Sequence, residues 1–158
     1  IESAAESVND NLLLIPYRDD ELCLIVPPWH PWVALEEVPV SALAQATLLW
    51  REPGSGTRGI IEAALHRLDI HPNVSLQLGS TEAIKRAVAA NLGISIISKA
   101  SVNAEVAAGW LTTVHLADID LRRSFHLVRR RSGYLSLISE AFLRLLTGEA
   151  GTETAGLV

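Results

Sequence analysis

A short apolar run, Thr47-Leu48-Leu49-Trp50, passes through Arg51-Glu52-Pro53-Gly54-Ser55-Gly56-Thr57-Arg58-Gly59 directly into a helical stripe. In that stripe Ile60, Ile61, Ala64, Leu65 and Leu68 share one face, while Glu62 and Arg67 fall on the other, so the spacing predicts a helix over Gly59 to Leu68. A buried strand that turns through glycines into an amphipathic helix is the building unit of an α/β layer. The unit recurs. Val74 to Leu78 alternates as a strand, and Gly79-Ser80 leads into a helix from Thr81 to about Ala90. Asn91-Leu92-Gly93 ends that helix with residues that tolerate left-handed backbone. Ile94 to Ile97 is another buried strand, and Ser101 to Ala108 a third helix stopped by Gly109. The order β-α-β-α-β-α-β predicts an α/β fold with largely parallel strands.

The flanking segments are plainer. Leu12 to Ile15 and Glu21 to Val26 read as extended, and Pro27-Pro28-Trp29-His30-Pro31-Trp32 as irregular. Pro39 suits the first turn of a short helix through Ala46. Leu111 to Leu116 and Ser124 to Val128 are extended. Leu135, Ile138, Phe142 and Leu145 mark a last amphipathic helix closed by Gly148, and Glu149 to Val158 reads as a disordered tail.

Composition narrows the function. The 158-residue chain carries a net charge of −5, whereas a nucleic-acid-binding domain is usually basic along one face. Arg122-Arg123 and Arg129-Arg130-Arg131 read as solvated strand ends, and Asp19-Asp20-Glu21 and Glu36-Glu37 as solvated loop charges. No apolar stretch reaches the roughly 18 residues of a membrane span. Ile1-Glu2-Ser3-Ala4 lacks the charged n-region of a signal peptide. The single cysteine, Cys23, lies in a strand-like run and reads as a small buried hydrophobe. Without a disulfide framework, the chain fits the cytoplasm. It starts without an initiator Met, so it is expected to begin inside a longer protein.

Gly54-Ser55-Gly56-Thr57-Arg58-Gly59 spells G-x-G-x-x-G between a strand and a helix, the context of a dinucleotide fingerprint. The fingerprint also needs an acid at the end of the next strand to hold a ribose. That strand ends Gln77-Leu78-Gly79, and Glu82 lies past it inside a helix, so no cofactor is expected. The terminal Gly-Lys-Ser/Thr of a P-loop is missing too. What survives is an anion receptor: backbone N–H groups at a helix N-terminus, the hydroxyls of Ser55 and Thr57, and the charge of Arg58. An ordinary strand–helix connection with a serine or threonine cap competes with that reading. Gly79-Ser80-Thr81-Glu82 repeats the chemistry. In a parallel sheet both junctions lie at the carboxyl ends of strands, the edge where open α/β sheets bind ligands. Gly54, Ser55, Gly56, Thr57, Arg58, Ser80 and Thr81 are therefore the candidate ligand-binding residues. The five histidines show no metal-ligand spacing, and the G-x-S-x-G elbow of a hydrolase is absent, so neither a metal nor a catalytic residue is assigned.

Taken in order, several stretches resemble the effector-binding domain of LysR-type transcriptional regulators. They are Ile15 to Pro31, Arg51 to Arg58, Asn91 to Ser98, Gly109-Trp110-Leu111, and Phe125 to Val128 with the helix after it. The resemblance covers Ile1 to about Thr147 and implies a type 2 periplasmic-binding-protein-like fold of two lobes. A small, anionic effector would sit in the cleft between them. The second lobe would be residues 17–123, with chain crossings near Ile15 to Arg18 and Ala117 to Arg123. The first lobe would keep residues 1–16 and 124–148, with 149–158 as the tail. The family's opening strands and helices and its helix-turn-helix have no counterpart here, so the first lobe is expected to be incomplete. DNA would be bound only through a domain absent from this chain, in a homo-oligomer. The alternatives are a solute-binding protein for an organic acid or oxyanion and, more distantly, a nucleotide-dependent enzyme.

Overall fold

The computed structural model describes residues 11–132 and 134–147. The expected tail at 149–158, the helix-closing Gly148 and the first ten residues lie outside them. The chain divides into two compact units, one within residues 1–19 and 124–158, the other Asp20–Arg123.

In the larger unit, β1 (Leu12–Val26) runs on through residues 20–26 and pairs with β5 (Ser95–Ser98) and β6 (Thr112–Val114). Side chains alternate across a strand. Leu22, Leu24 and Val26 accordingly enter one apolar cluster, while Ile25 and the half-buried Cys23 join another. Burial pushes the Cys23 thiol up to about 11, so it is a packing residue, as its sequence context indicates.

The element that organises the unit is β3 (Thr47–Arg51). Leu48 and Trp50 face the cluster that includes Ile61, Ala64 and Leu65 of α1 (Gly56–Arg67). Leu49 points the other way, into the cluster with Ile84, Ala87 and Val88 of α2 (Thr81–Ala89). The period-two pattern of one short strand thus seats a helix on each of its faces. β4 (Asn73–Leu78) pairs with β3 in parallel, with Arg51 opposite Leu78. Leu48 makes a further parallel bridge to Ile94. β2 (Val38–Pro39) and β7 (Leu116–Ala117) form a second parallel pair. The expected parallel pairing therefore holds around β3 and between β2 and β7, whereas β1 is antiparallel to β5 and β6. An apolar run carries no mark of direction, so this part of the topology was not legible.

Local differences have local causes. The helix expected from Pro39 is a 3-10 turn over Val40–Gln45, with Pro39 as its cap. Its two buried residues, Val40 and Leu43, are three apart, the spacing a 3-10 turn stacks on one side. The helix expected at Ser101 splits into a 3-10 turn, Lys99–Ser101, and α3 (Asn103–Ala107). α1 begins three residues before Gly59, because Ser55 caps it.

β8 (Arg122–Arg130), whose first two residues belong to the larger unit, pairs with β1. Arg131 N donates to Asn11 O at 2.6 Å, and Ser124 Oγ to Asp19 Oδ1 at 2.7 Å. α4 (Leu137–Thr147) carries the expected apolar stripe, yet none of its residues is buried, and Ile138 is 83% exposed. No helix among the described residues is long and apolar enough to cross a membrane.

Candidate functional site

Because β3 and β4 are parallel and in register at Arg51 and Leu78, α1 and α2 both start at the same edge of the larger unit. All seven candidate residues belong to this unit. Gly54 has φ +88°, a backbone that favours glycine. Ser55 caps α1, its Oγ accepting from Arg58 N at 3.5 Å, and Gly56 opens the helix. Ser80 caps α2 more tightly, accepting from Ala83 N at 3.1 Å. Each junction therefore uses its serine oxygen as a cap and presents a threonine, Thr57 or Thr81, in the first helical turn.

Arg58 is placed differently from its two neighbours. Its Nε is 2.7 Å from Glu62 Oε1, one turn along the helix. Its Nη1 donates to Arg51 O and to Gln77 Oε1, both at 3.2 Å, and its guanidinium lies 5.7 Å from the Trp50 ring centroid. The i,i+4 carboxylate and the aromatic face draw it along the helix rather than to the threonines.

Two other arginines reach those threonines. Arg123 Nη1 donates to Thr57 Oγ1 at 3.1 Å, while its Nε is 2.7 Å from Asp20 Oδ2. Arg51 Nη1 donates to Thr81 Oγ1 at 3.1 Å, while Nε and Nη2 meet the Glu52 carboxylate at 2.7 and 2.8 Å. This corrects the reading of Arg123 and Asp20 as solvated charges: their side chains are 16% and 4% exposed. The hydrogen bond from Arg51 holds the Glu52 carboxyl down to about 2, so that pair stays ionised through the physiological range. Sequence spacing offered no signal for Arg123, which lies 66 residues from Thr57. Arg51 stood inside the motif, but as a strand-end residue its partner on the next helix was invisible.

The edge therefore offers donors rather than net charge. Each arginine is balanced by a carboxylate: Arg51 by Glu52, Arg58 by Glu62, Arg123 by Asp20. The edge also carries backbone N–H groups at two helix N-termini and two threonine hydroxyls, donors of the kind an oxyanion accepts from. A cavity of about 450 Å³ elsewhere on the same unit is lined by Glu21, Lys99, Asp120 and Arg122 among others. Its charges are paired within it, Lys99 with Glu21 at 3.1 Å and Arg122 with Asp120 at 2.8 Å.

Residues 4–151 match the family profile of the LysR substrate-binding domain. The chain belongs to this family. The chain is 32% identical over 134 residues to the RuBisCO operon transcriptional regulator of Allochromatium vinosum, covering 85% of this chain and 44% of that protein. It is 32% identical over 130 residues to the HTH-type transcriptional activator CmpR of a Synechocystis strain, covering 82% of this chain and 43% of CmpR. It thus spans less than half the length of these curated relatives, which are transcriptional regulators. Among solved structures, the regulatory domain of Synechocystis CcmR in complex with 2-PG superposes with a TM-score of 0.83 at 30% identity, covering 97% of this chain and 73% of that one. The type 2 periplasmic-binding-protein-like α/β fold expected from the sequence is the fold of this LysR domain.

Proposed function

We propose that this LysR domain is an effector sensor whose ligand, a small anionic metabolite, is gripped at the shared edge of α1 and α2. The observation that carries the reading is the convergence there of two capped helix N-termini, each presenting a threonine held by an arginine. Gly54, Ser55, Gly56, Thr57, Ser80 and Thr81 form the wall. Arg58 supports it from behind through the Arg51 carbonyl. The 2-PG bound to the CcmR regulatory domain, a small anionic metabolite, supports the ligand class. The related proteins are transcriptional regulators, which supports a domain that senses a ligand rather than one that catalyses a reaction. In the whole protein, ligand occupancy would change DNA binding by a helix-turn-helix domain of a homo-oligomer in the cytoplasm. A ligand achieves this only through its differential affinity for two states.

Calorimetric titration of 2-PG tests the wall. Thr57→Val keeps the shape and removes the hydroxyl, and is expected to weaken binding about tenfold, with a fall in thermal stability no larger than the lost hydrogen bond from Arg123 accounts for. Equal affinity in wild type and variant would sink the assignment. Tight binding of NAD(P) instead would restore the dinucleotide alternative.

A further inference from the structure

The two arginines that reach the wall do so in the same way. In each, Nε faces a carboxylate and Nη1 faces a threonine oxygen: Asp20–Arg123–Thr57 at 2.7 and 3.1 Å, Glu52–Arg51–Thr81 at 2.7 and 3.1 Å. The guanidinium is planar and its N–H groups are fixed in direction, so the carboxylate that pins one side aims the other. An arginine can only donate. In both hydrogen bonds, then, the threonine oxygen is the acceptor, and its own hydrogen is not consumed. The donor arm comes from β8 for Thr57 and from β3 for Thr81.

Resting on the anion-sensor reading above, we propose that Arg123 and Arg51 are positioning residues that convert the Thr57 and Thr81 hydroxyls into dedicated donors for a bound oxyanion. A threonine without such a partner has a rotating hydroxyl that donates or accepts with equal ease. With one lone pair held by a cation, its O–H is more polar, and the hydrogen-bonded chain from guanidinium through hydroxyl to ligand is cooperatively strengthened. The ligand group selected is one with acceptors only: an ionised carboxylate, phosphate or sulfate. An ammonium, which has no acceptor, gains nothing from it, and a neutral hydroxyl accepts more weakly than an ionised oxyanion. The arrangement also explains a wall with arginines but no net charge. Asp20 and Glu52 cancel the cations and leave their directional effect.

The test is a double-mutant cycle in the full chain, with 2-PG as the calorimetric probe and inorganic phosphate and sulfate as further anions. Arg123→Gln is expected to weaken 2-PG binding about tenfold or more in the wild-type background. It should cost less than about twofold when Thr57 is already valine, because residues acting through one contact are not additive. Arg51→Gln with Thr81→Val should behave alike. Arg123→Lys keeps the charge beside Asp20 but lacks the fork, so it should not rescue affinity. It also stands in for Arg123→Gln if melting curves show that variant unfolded. Equal losses in both backgrounds, or rescue by lysine, would overturn the positioning role while leaving the sensor reading intact. Failure of the wild-type chain to bind any of the three anions would overturn both.

Discussion

Lys85 Nζ of α2 lies 2.7 Å from Glu105 Oε1 of α3, and the lysine side chain is only 7% exposed. Glu82 closes on the same ammonium at 2.6 Å, and Ser101 O accepts from it at 3.0 Å. Burial alone would lower the lysine pKa, but the hydrogen bonds to Glu105 and Glu82 outweigh it and the net shift is upward. The pair locks α2, whose N-terminus forms part of the proposed wall, onto α3. Glu105→Ala is expected to cost about 2 kcal/mol, since it leaves a buried ammonium with poorer partners. Lys85→Met combined with Glu105→Gln should recover most of that loss, because no charge then stays buried. Urea denaturation of the three chains measures the difference.

The same pair predicts an acid limb. The hydrogen bond from Lys85 holds the Glu105 carboxyl below its ordinary value of 4.5. A depressed carboxyl contributes stability that is complete above the ordinary value and is lost as pH falls through the lowered one. Stability should therefore decline below about pH 4.5, and Glu105→Gln should flatten that decline. A pH series of thermal melts reads it directly.

His30 predicts a second pH effect of its own. Its Nδ1 accepts from Trp32 N at 3.2 Å, capping the 3-10 turn at Pro31–Ala34, and its ring packs edge-on to Trp32. Burial lowers its pKa below the ordinary 6.5. An acceptor role requires the neutral ring. The contribution is complete above pH 6.5 and is lost as pH falls towards and through the lowered value. His30→Asn keeps a capping acceptor that does not titrate, so the slope of melting temperature between pH 7 and 5 should shrink.

Two glycines separate fold from function. Gly93 has φ +154°, and a Cβ there would meet Thr47 O at 2.6 Å, where Thr47 O already accepts from Ile94 N at 3.0 Å. Gly93→Ala should cost ~2–3 kcal/mol by pushing β3 off the Ile94 bridge, visible as a lower denaturation midpoint.

Gly56 is the opposite case. A Cβ there meets nothing within 4 Å, and its φ is not in the left-handed region. Gly56→Ala should leave stability equal or up to ~1 kcal/mol higher. On the proposed function, however, a Cβ would stand in the path of an oxyanion reaching the first turn of α1. Weaker 2-PG binding by a chain of undiminished stability is the expected result, read by calorimetry beside a melting curve.

What the sequence alone determined is what acts over a turn or less. The alternation of Leu48, Leu49 and Trp50 set which side of β3 takes which helix, and the face of Ile61, Ala64 and Leu65 set how α1 lies on it. Ser80 reaches its amide partner three residues on, at the start expected for α2, whereas the same bond from Ser55 starts α1 three residues before the expected Gly59. Tertiary structure decided the rest. The reversal of β1 against β5 and β6 leaves no trace in an apolar run. Arg58, which stands in the motif, was drawn away by Glu62 and Trp50, while Arg123 arrived from 66 residues off to take its place at Thr57. A guanidinium goes wherever folding brings it a carboxylate and an acceptor in one plane, and that depends on which strands become neighbours, not on spacing along the chain.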